Sequence, residues 1–268
     1  PCEMSALLAL ARDAEVALIE DCAQAHGATY RERWVGTFGV AGAFSFCQEK
    51  IISTGGEGGM VMCDDRDLGR RIALLRDHGK TPTPPGQGGS AAWRSQADGQ
   101  RRAPVYRYVH EAVGGNARLT EMQSALGRIG LARLQERVGA RRRLAERLQG
   151  ALEGQSTIVA RRPPTHLGPA WYRFYCQVDP AALASGWSRD RVLLALADAG
   201  VPAGSGACPT LQRERAFEGH RLPADVHTPG AEQLGERSVA LAIHHAMDEA
   251  HIGQMCAALQ RIGRSAQR

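Results

Sequence analysis

Lysine is nearly missing from this chain: of its 33 basic residues, only Lys50 and Lys80 are lysines and the rest are arginines. Any chemistry that needs a side-chain amine therefore has two candidates. No apolar run approaches the roughly 20 residues of a membrane-spanning helix, and no charged-then-apolar leader opens the chain, so neither a membrane nor a secretory route is expected. The seven cysteines include no Cys-x-x-Cys pair and no histidine at metal-binding spacing. That excludes a structural zinc site and predicts reduced, mostly buried thiols in a cytoplasmic protein. Nucleic-acid motifs are also lacking. The net charge of +5 comes largely from arginines between Arg128 and Arg147. They alternate with Leu126, Ile129, Leu134, Val138, Leu148 and Leu152 at near-helical intervals, which predicts the wet face of an amphipathic helix and no nucleic-acid partner. With 43% hydrophobic and 23% charged residues over 268 positions, the chain can bury one large core or two modest ones.

What is present centres on Lys50. The run Phe44-Ser45-Phe46-Cys47-Gln48-Glu49 leads into it, Ile51-Ile52-Ser53-Thr54 follows, and a glycine cluster (Gly55, Gly56, Gly58, Gly59) precedes strand-like Met60-Val61-Met62. An amine that is desolvated or crowded by cations becomes a nucleophile at neutral pH. Its obvious use is covalent binding of an aldehyde, and pyridoxal phosphate is the commonest aldehyde cofactor. A lysine beside a glycine turn is also an ordinary surface feature, so the motif does not decide alone. Upstream, Val16-Ala17-Leu18-Ile19-Glu20-Asp21 reads as a buried strand of the parallel type, covered on both faces and ending in a carboxylate pair. Open α/β sheets bind ligands beyond such strand ends. Asp21 suits the pyridine nitrogen of a pyridoxal ring or, equally, a helix N-cap. Gln24 is within reach of the ring oxygen, and His26 either packs on the ring or caps the turn.

Three ordered motifs turn these pieces into a resemblance. They are Ile19-Glu20-Asp21-Cys22-Ala23-Gln24-Ala25-His26-Gly27-Ala28 with Val35-Gly36-Thr37-Phe38-Gly39; the segment 44–59; and Gly114-Gly115-Asn116-Ala117-Arg118-Leu119-Thr120-Glu121. Together they resemble the DegT/DnrJ/StrS family of pyridoxal-phosphate-dependent nucleotide-sugar aminotransferases. The resemblance is dense to about residue 135 and continues through Tyr172-Arg173-Phe174 and Gly204-Ser205-Gly206-Ala207-Cys208-Pro209.

The resemblance implies an α/β fold. Residues 1–135 would be part of a pyridoxal-type (fold type I-like) large domain with a parallel-rich sheet, and 136–268 a smaller C-terminal α+β domain. It implies pyridoxal 5'-phosphate held by Lys50, with Asp21 on the ring nitrogen, Gln24 on the ring oxygen and Ser45 on the phosphate. Asn116 would reach a phosphate across a homodimer interface, and His26 and Arg118 would contact substrate. The reaction implied is amino transfer from glutamate or glutamine to a nucleotide-linked keto-sugar, with no metal. The sugar dehydratases of the same family carry histidine in place of Lys50, so the lysine argues against them. Family members also carry a preceding portion with a glycine/threonine phosphate loop and a stacking aromatic. The chain is therefore expected to be a fragment, and a catalytically incompetent or regulatory product is the alternative.

Several local elements are legible without the resemblance. Residues 65–76 read as a helix with acids early and bases late. Thr120 and Gln123 form a capping box that opens the next helix. A strand over 172–178, a helix over 189–199 ended by Gly200-Val201-Pro202, and a closing helix over 248–262 follow. Residues 80–104 lose all periodicity and read as a long loop, either a lid, a subunit contact or a disordered insertion.

Overall fold

A computed structural model describes residues 1–80, 110–206, 210–219 and 228–268. Most of the aperiodic 80–104 stretch, and Ala207 to Pro209 of the Gly204 motif, lie outside the described residues.

The first half is organised around a small mixed sheet. Helix α1 (Met4–Asp13) leads into β1 (Ile19–Asp21), which pairs in parallel with β4 (Ala41–Ser45), and β4 pairs antiparallel with β5 (Gly59–Met62). The parallel β1–β4 pair is the expected α/β signature. Between its strands a hairpin of β2 (Thr29–Tyr30) and β3 (Arg33–Trp34) turns through Arg31 and Glu32, both at positive φ, as the tightest hairpin turns require. Strand β2 also pairs with β7 (Leu167–Gly168), which ties the two halves of the chain together.

Strand β1 departs from expectation. It is shorter than 16–21, and Val16 and Ile19 are 60% and 66% exposed. Among the described residues no layer covers that face. The residue of β1 that turns inward is Glu20, whose carboxylate accepts the backbone N–H groups of Gly36 (2.6 Å), Phe38 (2.6 Å) and Gly39 (2.8 Å). Three charge-assisted bonds make that burial tolerable. They also clamp the 36–39 turn over β4, where Gly42 meets Gly36 so closely that a Cβ would lie 2.6 Å from its carbonyl oxygen.

Helix α2 (Arg66–Arg76) starts where Asp65 accepts from Asp67 N and Leu68 N. Helix α3 (Glu121–Ala132) opens with the anticipated Thr120–Gln123 capping box. The arginine-rich stretch is two helices: the chain breaks at Arg133 before α4 (Leu134–Leu152). The wet-face reading also needs correction. Arg141 is 3% exposed, while the supposedly dry Leu126 and Ile129 are 49% and 58% exposed.

The second half is an antiparallel sheet in the order β6-β8-β10-β9, from β6 (Ile158–Val159), β8 (Arg173–Val178), β9 (Ala203–Gly204) and β10 (Ser238–Ala242). Helices α5 (Arg189–Asp198), α6 (Pro229–Arg237) and α7 (Glu249–Ala266) accompany it, α5 and α7 starting at the side-chain caps Ser188 and Asp248. Two apolar clusters result. The larger joins Leu144, Leu148, Phe174, Val239, Leu241 and Leu259; the smaller joins Met4, Cys22, Tyr30, Val35, Ile51 and Val138. Helix α4 contributes to both.

Candidate active site

Parallel pairing sets β1 and β4 side by side with their carboxyl ends together, so Asp21 (opposite Ala43) and Ser45 lie at the same sheet edge. Lys50 follows Ser45 by five residues in a loop pinned at both ends. Phe46 N donates to Gly58 O (2.7 Å), Thr54 N donates to Phe46 O (3.1 Å), and Gln123 Nε2 donates to Glu57 O (2.9 Å). Ile51 and Ile52, 1% and 4% exposed, anchor the backbone directly after the lysine. The reversal that follows passes through Gly55 at φ 77°, a conformation that glycine adopts without strain. A buried isoleucine pair thus fixes the loop and leaves the half-buried amine projecting from it.

The Lys50 amine stands 4.7 Å from the centre of the Tyr172 ring. The Tyr172 hydroxyl donates to Glu49 Oε2 (3.3 Å), which also takes Arg173 Nη2 at 2.8 Å. Beside them, Arg141 Nη1 donates to the carbonyls of Trp171 (3.1 Å), Tyr172 (3.0 Å) and Ile243 (2.6 Å). Burial, together with the neighbouring Arg137 charge, pushes the Arg141 guanidinium down to about 10, which leaves it charged at pH 7. A cavity of about 290 Å³ opens among Glu49, Arg141, Tyr172, Arg173, Ile243 and His244.

His26 is 2% exposed, between Phe44 and Phe46 with ring centroids at 5.5 and 5.8 Å. Neither ring nitrogen has a hydrogen-bond partner. Burial first, and the Lys50 charge second, hold its imidazole down at about 4; the Ser45 backbone offsets part of this without reaching hydrogen-bond geometry. Cys22, beside Asp21, is pushed up to about 11 by burial and by Glu20 and Asp21, so it is a protonated thiol and no nucleophile.

The remaining candidates are distributed as follows. Asp21 is exposed and accepts from Ala23 N at 3.0 Å; Gln24 is exposed; Ser45 is half-buried and accepts from Cys47 N at 3.4 Å. Asn116 and Arg118 sit on another loop. Arg118 Nε donates to Asn116 Oδ1 (2.9 Å), approaches Asp77 (3.4 Å) and has His78 Nε2 at 3.4 Å, so these two bond to each other and to the end of α2, not to the Lys50 cluster. Sequence reasoning missed Glu49 and Arg141, whose partners lie 30 to 124 positions away in the chain. Tyr172 and Arg173 were flagged only as part of a resemblance.

This donor set is chemically suited to a pyridoxal ring. It offers one amine for an aldehyde, one carboxylate for a ring nitrogen, a hydroxyl for an anion, and a buried aromatic cluster of His26, Phe44 and Phe46 whose orphaned His26 nitrogens lie near Ser45 and Lys50. Among the described residues no cluster of metal-ligating side chains competes with this use.

Comparison with known proteins points the same way. Residues 1–260 match the DegT/DnrJ/EryC1/StrS aminotransferase family. A UDP-N-acetyl-3-dehydro-alpha-D-glucosamine 3-aminotransferase of Acidithiobacillus ferrooxidans is 30% identical over 97% of this chain and 61% of its own length. Among solved structures, an aminotransferase from Psychrobacter cryohalolentis is 37% identical with a TM-score of 0.87, over 99% of this chain and 66% of that one. DesV of S. venezuelae, solved in complex with a ketimine intermediate, is 28% identical with a TM-score of 0.79, over 98% of this chain and 62% of that one. The chain thus spans under two thirds of the length of these relatives.

Proposed function

Since the chain belongs to the DegT/DnrJ/EryC1/StrS aminotransferase family, we propose that the protein moves an amino group from glutamate or glutamine to a nucleotide-linked keto-sugar, using pyridoxal phosphate. The observation that carries this reading is the common sheet edge of Asp21 and Ser45, with the anchored Lys50 amine five residues beyond. The named activity of the Acidithiobacillus relative supports a nucleotide-linked substrate.

Bound pyridoxal phosphate supplies an electron sink that acidifies the donor's α-carbon. Lys50 would hold the cofactor's aldehyde carbon at rest; displaced from it by the donor's own amine, the freed Lys50 amine would take the proton from the α-carbon and return it as general base and acid. Asp21 holds a proton on the pyridine nitrogen, Gln24 orients the ring through its oxygen, and the Ser45 hydroxyl binds the phosphate. His26 packs near the ring, and Arg118 reaches substrate. Asn116 acts from the other subunit of a homodimer, which is consistent with its separation from the Lys50 cluster within one chain. The same proposal includes the division into residues 1–135 and 136–268 and a cytoplasmic location.

Borohydride reduction of the cofactor-loaded protein followed by peptide mapping tests the assignment. We expect the label on Lys50. Label on Lys80, which is exposed and bridged to His110, would refute it.

A further inference from the structure

Arg141 presents an unusual electrostatic situation. It is 3% exposed, its hydrogen bonds go to three neutral carbonyls, its Nε has no partner, and among the described residues no carboxylate pairs with it. A buried charge without a counter-charge is costly, and neutral carbonyl dipoles compensate it only in part. It lines the 290 Å³ cavity together with Arg173, whose charge is already matched by Glu49 at 2.8 Å. With Arg141 and Arg173 against Glu49 alone, the balance of fixed charge lining the cavity is positive, and the Lys50 amine stands 4.7 Å from the Tyr172 ring that lines it. His244 adds a polar ring; burial and the Arg141 charge hold it below its ordinary value, so it offers a neutral donor at pH 7.

We propose that this cavity is a subsite for a small oxyanion, and that the oxyanion is a carboxylate of the amino-acid donor, held by Arg141 and Arg173 with His244 alongside. The cavity lies at the lower limit of small-molecule pockets, roughly 300 Å³ upward, which suits a compact amino acid. A planar guanidinium pair matches carboxylate geometry. Glu49 then has a second role. By neutralising Arg173 it keeps the vacant site from being doubly charged, and by facing the incoming anion it weakens the binding so that product can leave.

The donor assignment rests on the reading of Lys50 as the reacting amine, whereas anion binding does not. The two therefore fail separately: borohydride mapping reports on Lys50, and calorimetric titration of the protein with glutarate, with and without pyridoxal phosphate, reports on the cavity. We expect glutarate to bind the parent protein. Arg173→Gln should weaken it by roughly tenfold or more, as loss of a charged hydrogen bond does. Glu49→Gln, at a side chain 58% exposed, should strengthen it by roughly fivefold through removal of a like charge. Arg141→Met should weaken it further than Arg173→Gln; should that variant fail to fold, the opposite signs at positions 49 and 173 decide, because a merely structural pair would not produce them. Absence of glutarate binding, or equal affinity in Arg173→Gln and Glu49→Gln, would overturn the subsite. Inorganic phosphate binding more tightly than glutarate would overturn the carboxylate and give the cavity to a nucleotide phosphate.

Discussion

Replacing His26 with phenylalanine removes two nitrogens that lack partners while keeping an aromatic ring against Phe44 and Phe46. In the unfolded chain this histidine takes a proton as pH falls through about 6.5, whereas in the folded protein burial delays protonation to about 4. Between those values the unfolded state binds the extra proton, so acidification favours unfolding. The stability at stake is intact above pH 6.5, declines as pH falls toward 4, and does not decline further below it. At about 1.4 kcal/mol per unit, the whole interval is worth about 3 kcal/mol. Urea unfolding followed by circular dichroism at pH 7.5 and pH 4.5, on the parent and on His26→Phe, isolates this contribution, because all other titrating groups cancel in the difference. We expect the two proteins to lie within about 1 kcal/mol at pH 7.5, a conservative ring exchange in a packed site. At pH 4.5 the phenylalanine variant should be ahead by about 2 kcal/mol or more. Equal losses between the two pH values in both proteins would refute the reasoning.

Glu20→Gln leaves one carbonyl oxygen and an NH₂ group facing three N–H donors at Gly36, Phe38 and Gly39. It should cost about 2–3 kcal/mol, visible as a lower thermal midpoint and faster amide exchange at those three positions. Asp21→Asn should leave cofactor binding largely intact but lower amino transfer by more than the roughly 10²–10⁴-fold of a positioned proton donor, since the ring loses its protonating partner. A single-turnover assay with glutamate measures this, and activity within tenfold of the parent would remove Asp21 from the site.

Local signals were the legible ones. The Thr120–Gln123 box, the helix after Asp65 and the start of α5 each depend on residues within four positions of one another, and the structure reproduces them. The parallel pairing of β1 with β4 agrees with the strand type read from the 16–21 run. What was not legible depends on distant partners. An arginine at position 141 looks like its neighbours Arg142 and Arg143, and only carbonyls at 171, 172 and 243 make it a buried residue. Hydrophobicity alone also suggested that Ile19 and Leu126 face a core, yet both are exposed among the described residues. The burial of Glu20 in place of Ile19 reflects three backbone donors brought to it by the 36–39 turn, which no periodicity encodes.

Helix α4 is embedded at its start in the smaller apolar cluster through Val138 and along the rest of its length in the larger through Leu144, Leu148 and Leu152. It therefore acts as a lever arm of roughly 20 Å between Val138 and Leu152. A rotation of about 3° at one end sweeps the other through about 1 Å, a displacement that can change reaction rates by about a hundredfold when it reaches reacting groups. Arg141 sits near the pivot and grips the backbone of Tyr172, the residue against Lys50. Repacking of the apolar side chains under α7 is thereby mechanically geared to the position of a single amine.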